Sequence, residues 1–114
     1  MSILHALKVL GALLTIVTGL VSLFFPQAVT GFTGLLPQGG RGVTEIRSVL
    51  GGLFIALGAA PLLLNQPAAY QMLGLAYLAI GVVRLVSMII DKSIVSSNII
   101  SLAFEFVFGV ILVL

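Results

Sequence analysis

Residues 68–90 read AAYQMLGLAYLAIGVVRLVSMII and residues 94–114 read IVSSNIISLAFEFVFGVILVL, with only Asp91-Lys92-Ser93 between them. Each run is continuously apolar and long enough to cross a hydrocarbon core of about 30 Å at about 1.5 Å per residue. Strands of a membrane barrel would instead alternate apolar and polar residues over segments of about 10. Two membrane helices joined by a tight turn follow from this pattern. Working outward, residues 43–64 and 3–25 form two more runs of the same kind. Asn65-Gln66-Pro67 makes a turn between residues 43–64 and 68–90. Pro26 ends the first run. The reading is an all-α fold, an integral membrane four-helix bundle, with residues 1–114 as a single transmembrane domain. The one long connection, residues 26–42, contains five glycines and reads as an interfacial loop whose Phe32, Leu35 and Leu36 dip into the headgroups.

Composition agrees with the pattern. Of 114 residues, 61% are apolar and 7% are charged, against about 45–50% and about 25% in a soluble domain. The mean hydropathy is +1.34. So few charges exclude a water-soluble globule and a disordered chain, and the net charge of +2 supplies no nucleic-acid-binding patch. The chain has no Cys and one His, which excludes disulfides, thiolate metal sites, iron–sulfur clusters and bis-His haem. No metal site and no cofactor are expected. The first apolar run exceeds the roughly 7–15 residues of a signal-peptide core, so it reads as a span.

Each run carries small or polar residues at helical spacing: Gly11, Thr15, Thr18 and Ser22; Glu45, Ser48, Gly52 and Ala56; Gly74, Tyr77, Gly81 and Arg84; Asn98, Ser101, Glu105 and Gly109. In lipid such residues allow close helix approach and interhelical hydrogen bonds, so the four stripes are expected to face one another. Gly11-x3-Thr15-x3-Gly19 fits either a homodimer face or packing within one chain.

Following the chain through the bilayer places nearly all ionisable groups in one half of it. Arg84 lies six residues before the end of its span, about 9 Å along the axis, and Glu105 lies about 16 Å into the last span. A charge at a helix centre costs about 2.5–3.5 kcal/mol on the insertion scale, so these groups face the protein interior and mark a candidate site. Glu105 is expected to pair with Arg84, with Glu45 joining them. Arg47, two residues from Glu45, points elsewhere, toward Asp91, a headgroup or the interface. Asn98 and Tyr77 complete the candidate set, Tyr77 by lining a cavity or by packing.

Two functions fit this network. The first is binding of a lipophilic molecule of lipid, quinone or isoprenoid type at a buried Glu/Arg site open to one membrane face. The second is an accessory subunit or assembly factor of a membrane complex in which the charges are structural. An isomerase using Glu105 as general acid/base, or a proton-coupled transporter, ranks below both, because no catalytic motif is present. Membrane lipid, a lipophilic ligand and a homodimer or larger membrane complex are the expected partners. The chain is assigned to a bacterial inner membrane. Arg41, Arg47 and Lys92 against Lys8 weakly favour both termini outside.

The stretches FTGLLP (residues 32–37), EIRSVLGGLFIALG (45–58), GLAYLAIGVVRLVSMIIDKS (74–93) and SLAFEFVFGVILV (101–113) resemble an uncharacterised family of small four-helix bacterial membrane proteins. That family is a domain of unknown function associated with the wider DoxX-like group. The elements that carry the resemblance are E-x-R-x3-GG at Glu45, Arg47, Gly51 and Gly52, R-x6-D at Arg84 and Asp91, and the acid Glu105. The resemblance implies a four-helix bundle and no established activity. Some DoxX-like relatives act in quinone or thiol redox systems and others assist membrane-protein maturation. Without Cys the thiol role does not carry over.

Overall fold

The structure, a computed structural model, describes residues 2–114. Its elements are α1 (Ile3–Phe24), a 3₁₀ turn (Pro26–Ala28), α2 (Val29–Thr33), α3 (Gly39–Leu64), α4 (Pro67–Ile90) and α5 (Ser96–Val113), with no strand among the described residues. Of these, α1, α3, α4 and α5 are long and apolar enough to cross a membrane. The protein is therefore an all-α integral membrane protein.

The chain divides into two compact units, one of Val9–Asn65 and one of Gln66–Leu114 with the first turns of α1 up to Lys8. In the first, α1 packs on α3 through glycine. A Cβ built on Gly58 would lie 2.6 Å from the Ala12 carbonyl oxygen, and one on Gly19 would lie 2.8 Å from the Gly51 carbonyl oxygen. Gly51 in turn would meet the backbone of Leu23 at 3.2 Å. These contacts show that the two backbones touch, which only small residues permit. Gly11, Thr15, Gly19 and Ser22 are buried. The Gly11-x3-Thr15-x3-Gly19 face thus packs within the chain. Hydroxyls of Thr15, Thr18 and Ser22 donate to carbonyls one turn back, at 2.8, 2.9 and 2.8 Å, so each satisfies its polarity on its own helix.

The stripe expected on α3 turns the other way. Glu45, Ser48, Gly52 and Ala56 are all exposed, while Ile46, Gly51, Gly58 and Pro61 are buried. Residues Ile46–Leu53 form a π-helix with i→i+5 bonds, and the inward positions Ile46 and Gly51 fall five apart. At about 3.6 residues per turn Ser48, Gly52 and Ala56 stand to one side of Gly51 and Gly58, so α3 carries two different small-residue faces, and the one through Gly51 and Gly58 is buried.

The connection 26–42 is also more ordered than its glycines suggest. Pro26 opens the 3₁₀ turn, where its missing N–H costs nothing. Gly34 closes α2 in the left-handed conformation at φ 77°, as a glycine cap does. Thr33 Oγ1 donates to the Val29 carbonyl at 2.7 Å and accepts from the Leu35 N–H at 3.0 Å. Helix α3 begins at Gly39, four residues before the expected start, because Gly39, Gly40 and Gly42 occupy only its first turn. Phe32, Leu35 and Leu36 are exposed, at 40%, 52% and 74%.

In the second unit α4 and α5 form a hairpin. Asn65, left-handed at φ 51°, ends α3, and Pro67 starts α4 in the first helical position, as expected for Asn65-Gln66-Pro67. Lys92, at φ 51°, makes the second turn, closed by the Ser93 N–H donating to the Met88 carbonyl at 3.0 Å. The helices meet at Gly74 and Gly109: a Cβ on Gly74 would lie 2.8 Å from the Gly109 carbonyl oxygen. Gly74, Tyr77, Gly81, Glu105 and Gly109 are buried, so the stripes of α4 and α5 face inward as expected.

Candidate functional site

The α4–α5 hairpin brings Arg84, Asn98 and Glu105 together. Arg84 sits on the inward stripe one turn beyond Gly81, where the missing side chain lets the helices approach. Its Nε donates to Glu105 Oε1 and its Nη2 to Glu105 Oε2, each at 2.8 Å. This side-on fork is the strongest geometry available to such a pair. The third nitrogen, Nη1, donates to Asn98 Oδ1 at 2.9 Å. Asn98 Nδ2 donates to the Ser93 carbonyl at 2.9 Å, which ties the asparagine to the turn preceding α5. Glu105 has 8% of its side chain exposed and Arg84 28%. The acid is therefore enclosed, and the base lies between it and the surface. Among the described residues no buried side-chain nitrogen or oxygen lacks a hydrogen-bond partner.

Beside Arg84 lies an open groove of about 480 Å³. Ala79, Ile80, Val83 and Met88 give it an apolar wall, and Arg84, Ser87 and Asn98 give it a polar end. Val83 is 69% exposed and Ile80 36%, so the apolar wall is accessible from the outside of the hairpin.

The other expected site residues have partners of their own or are exposed. Glu45 accepts from Arg41 Nη1 at 2.5 Å, an exposed i,i+4 pair on α3. The early start of α3 places Arg41 one turn behind Glu45 on the same helix, within reach of its carboxylate. The bonds described for Arg84 come from the hairpin of α4 and α5. Arg47 is exposed on α3. Asp91 accepts from Ser87 Oγ at 2.6 Å at the end of α4. Tyr77 is 6% exposed and packs edge-on to Phe104, with ring centroids 5.4 Å apart, so packing is the outcome there. The sequence reading missed the groove wall. Ile80, Ser87 and Met88 stand three or four residues from Arg84 on α4, and that spacing is the signal that identifies them; Val83, adjacent to Arg84 in the chain, carries no such signal.

The family model described as a domain of unknown function, DUF4345, matches residues 3–114. The chain belongs to that family. No curated protein and no solved structure matches it.

Proposed function

We propose that this member of the DUF4345 family binds a lipophilic molecule of lipid, quinone or isoprenoid type along the groove of α4. The apolar tail lies on Ile80 and Val83, and the polar head meets Arg84 and Asn98. Glu105 holds the guanidinium in place and balances its charge. The observation that carries this reading is the groove itself: about 480 Å³ of space with an apolar wall and a polar end. Ligand sites of about 300–1,000 Å³ with a few converging polar groups are typical of small-molecule binding. Val83→Trp tests it, because Val83 is largely exposed and a larger side chain there fills the groove without entering the helix interface. Native mass spectrometry of the purified protein is expected to show a bound lipophile on the wild type, at least about tenfold depleted in V83W. Equal occupancy in a folded V83W protein rejects the proposal.

A second reading, an accessory subunit of a membrane complex, is favoured by one observation. Ser48, Gly52 and Ala56 form a small-x3-small stripe that is exposed on α3, and such stripes in lipid accept a partner helix. A Cβ on Gly52 would come no nearer than 3.9 Å to any atom outside its local helix backbone. Gly52→Ile is therefore expected to leave the protomer folded and to abolish a complex seen by light scattering in detergent. An unchanged assembly, or a monomeric wild type that copurifies with no other membrane protein, rejects that reading.

The resemblance described above supports placing the protein within the DoxX-like group and in a bacterial inner membrane. The excess of Lys and Arg beyond α1 supports both termini lying outside. Because the chain has no Cys, Ser2→Cys gives a single label site. Labelling of intact cells by an impermeant maleimide is expected, and protection until lysis reverses the orientation.

A further inference from the structure

The polar atoms of the groove that remain unused identify the kind of head group it takes; this deepens the groove reading above and rests on it. Arg84 has five N–H donors. Three of them go to Glu105 and Asn98, leaving two. Asn98 accepts from Arg84 through its oxygen and donates one amide N–H to the Ser93 carbonyl, leaving one N–H. The Ser87 proton is committed to Asp91. The hydrogens that Arg84 and Asn98 hold in reserve at the polar end outnumber the one lone pair left on the Asn98 oxygen, so the matching head is an acceptor.

Charge and depth narrow the acceptor further. The Arg84 cation is matched by the Glu105 carboxylate through two bonds of 2.8 Å. At the hairpin turn Asp91 and Lys92 contribute one charge of each sign. Within the hairpin an anionic head would therefore find no surplus positive charge, and an ionised group without one is strongly disfavoured away from water. Arg84 also lies about 9 Å along the axis from the end of α4. A phosphate resident at the membrane surface would have to leave water to reach it, whereas an uncharged oxygen would lose far less hydration.

We infer that Arg84 and Asn98 hold the uncharged carbonyl oxygen of a long-chain amphiphile, an ester or a ketone, in preference to a phosphate or carboxylate. This carbonyl has two sources, the ester of a bilayer phospholipid and the head of a free lipophile.

The test uses the full chain in nanodiscs of ether-linked phosphatidylcholine, which contains no carbonyl. A methyl ketone of seventeen carbons, hexadecyl phosphate and heptadecane are titrated separately. The readouts are the Arg84 Nε–H resonance, assigned by its absence in Arg84→Lys, and the thermal midpoint. The ketone is expected to move the Arg84 resonance and to bind at least about tenfold more tightly than the phosphate or the alkane. In ester-linked nanodiscs, weaker apparent ketone binding supports the carbonyl site with bilayer ester as its occupant. Unchanged binding supports it with a free carbonyl lipophile as occupant. Binding of hexadecyl phosphate equal to or tighter than that of the ketone overturns the carbonyl assignment while leaving the groove occupied. Equal binding of heptadecane with no movement of the Arg84 resonance overturns it too. If V83W binds all three probes as the wild type does, the groove reading itself has failed.

Discussion

Glu105→Leu is expected to destabilise the protein by about 3–5 kcal/mol, because it leaves the Arg84 guanidinium without its counter-ion in a low-dielectric interior. The magnitude follows from enclosure. Glu105 is 8% exposed and receives two charge-assisted bonds from Arg84. Removing the acid forfeits those bonds and leaves the guanidinium the neutral Asn98 oxygen in place of a carboxylate. The companion double variant, Arg84→Met with Glu105→Leu, is expected to regain most of the loss, since an apolar pair of similar volume carries no desolvation cost. Reversible unfolding in detergent, followed by circular dichroism, measures both. A loss in Glu105→Leu of under about 1 kcal/mol, the range of an exposed ion pair, would show that the carboxylate is solvated. The same double variant separates architecture from function: if the groove binds through Arg84, a stable double variant no longer retains the lipophile.

Gly58→Val is expected to be the most damaging single substitution between α1 and α3. The new Cβ alone would meet the Ala12 carbonyl oxygen at 2.6 Å and the Ile16 nitrogen at 2.9 Å. Both are backbone atoms, so the contact is relieved only by separating the helices. Overpacking of this kind costs about 1–3 kcal/mol, occasionally more. Gly52→Val on the same helix is the control. Its Cβ would come no nearer than 3.9 Å to any such atom, and the expected change in protomer stability lies within about 0.5 kcal/mol. Thermal unfolding of the two variants side by side decides the matter. Equal stability of Gly58→Val and Gly52→Val would mean that the α1–α3 contact is not close-packed at Gly58.

The comparison of these glycines shows how far the sequence could be read. Four apolar runs, the two tight turns and the inward stripes of α1, α4 and α5 were legible because hydrophobic length and small-residue spacing act locally. So was the Arg84–Glu105 pair, since depth along two adjacent spans follows from counting residues. The face of α3 was not legible. Two small-residue faces run along that helix, one through Ser48, Gly52 and Ala56 and one through Gly51 and Gly58, and the polar one that includes Glu45 is not the one that packs. The start of α3 was hidden by the glycines at 39, 40 and 42, and with it the Arg41–Glu45 pair. The groove was only partly legible. Its polar end was named from charge, but its wall is made of side chains that look like any lipid-facing Ile or Val.

The bonds that neutralise Arg84 span at most 21 positions of the chain. Arg84, Asn98, the Ser93 carbonyl and Glu105 all belong to one hairpin, so quenching of the charge needs no long loop to close. A single helical pair entering the bilayer carries both ions with their mutual compensation already within reach. Neither has to search, unpaired in hydrocarbon, for a counter-ion on the amino-terminal half.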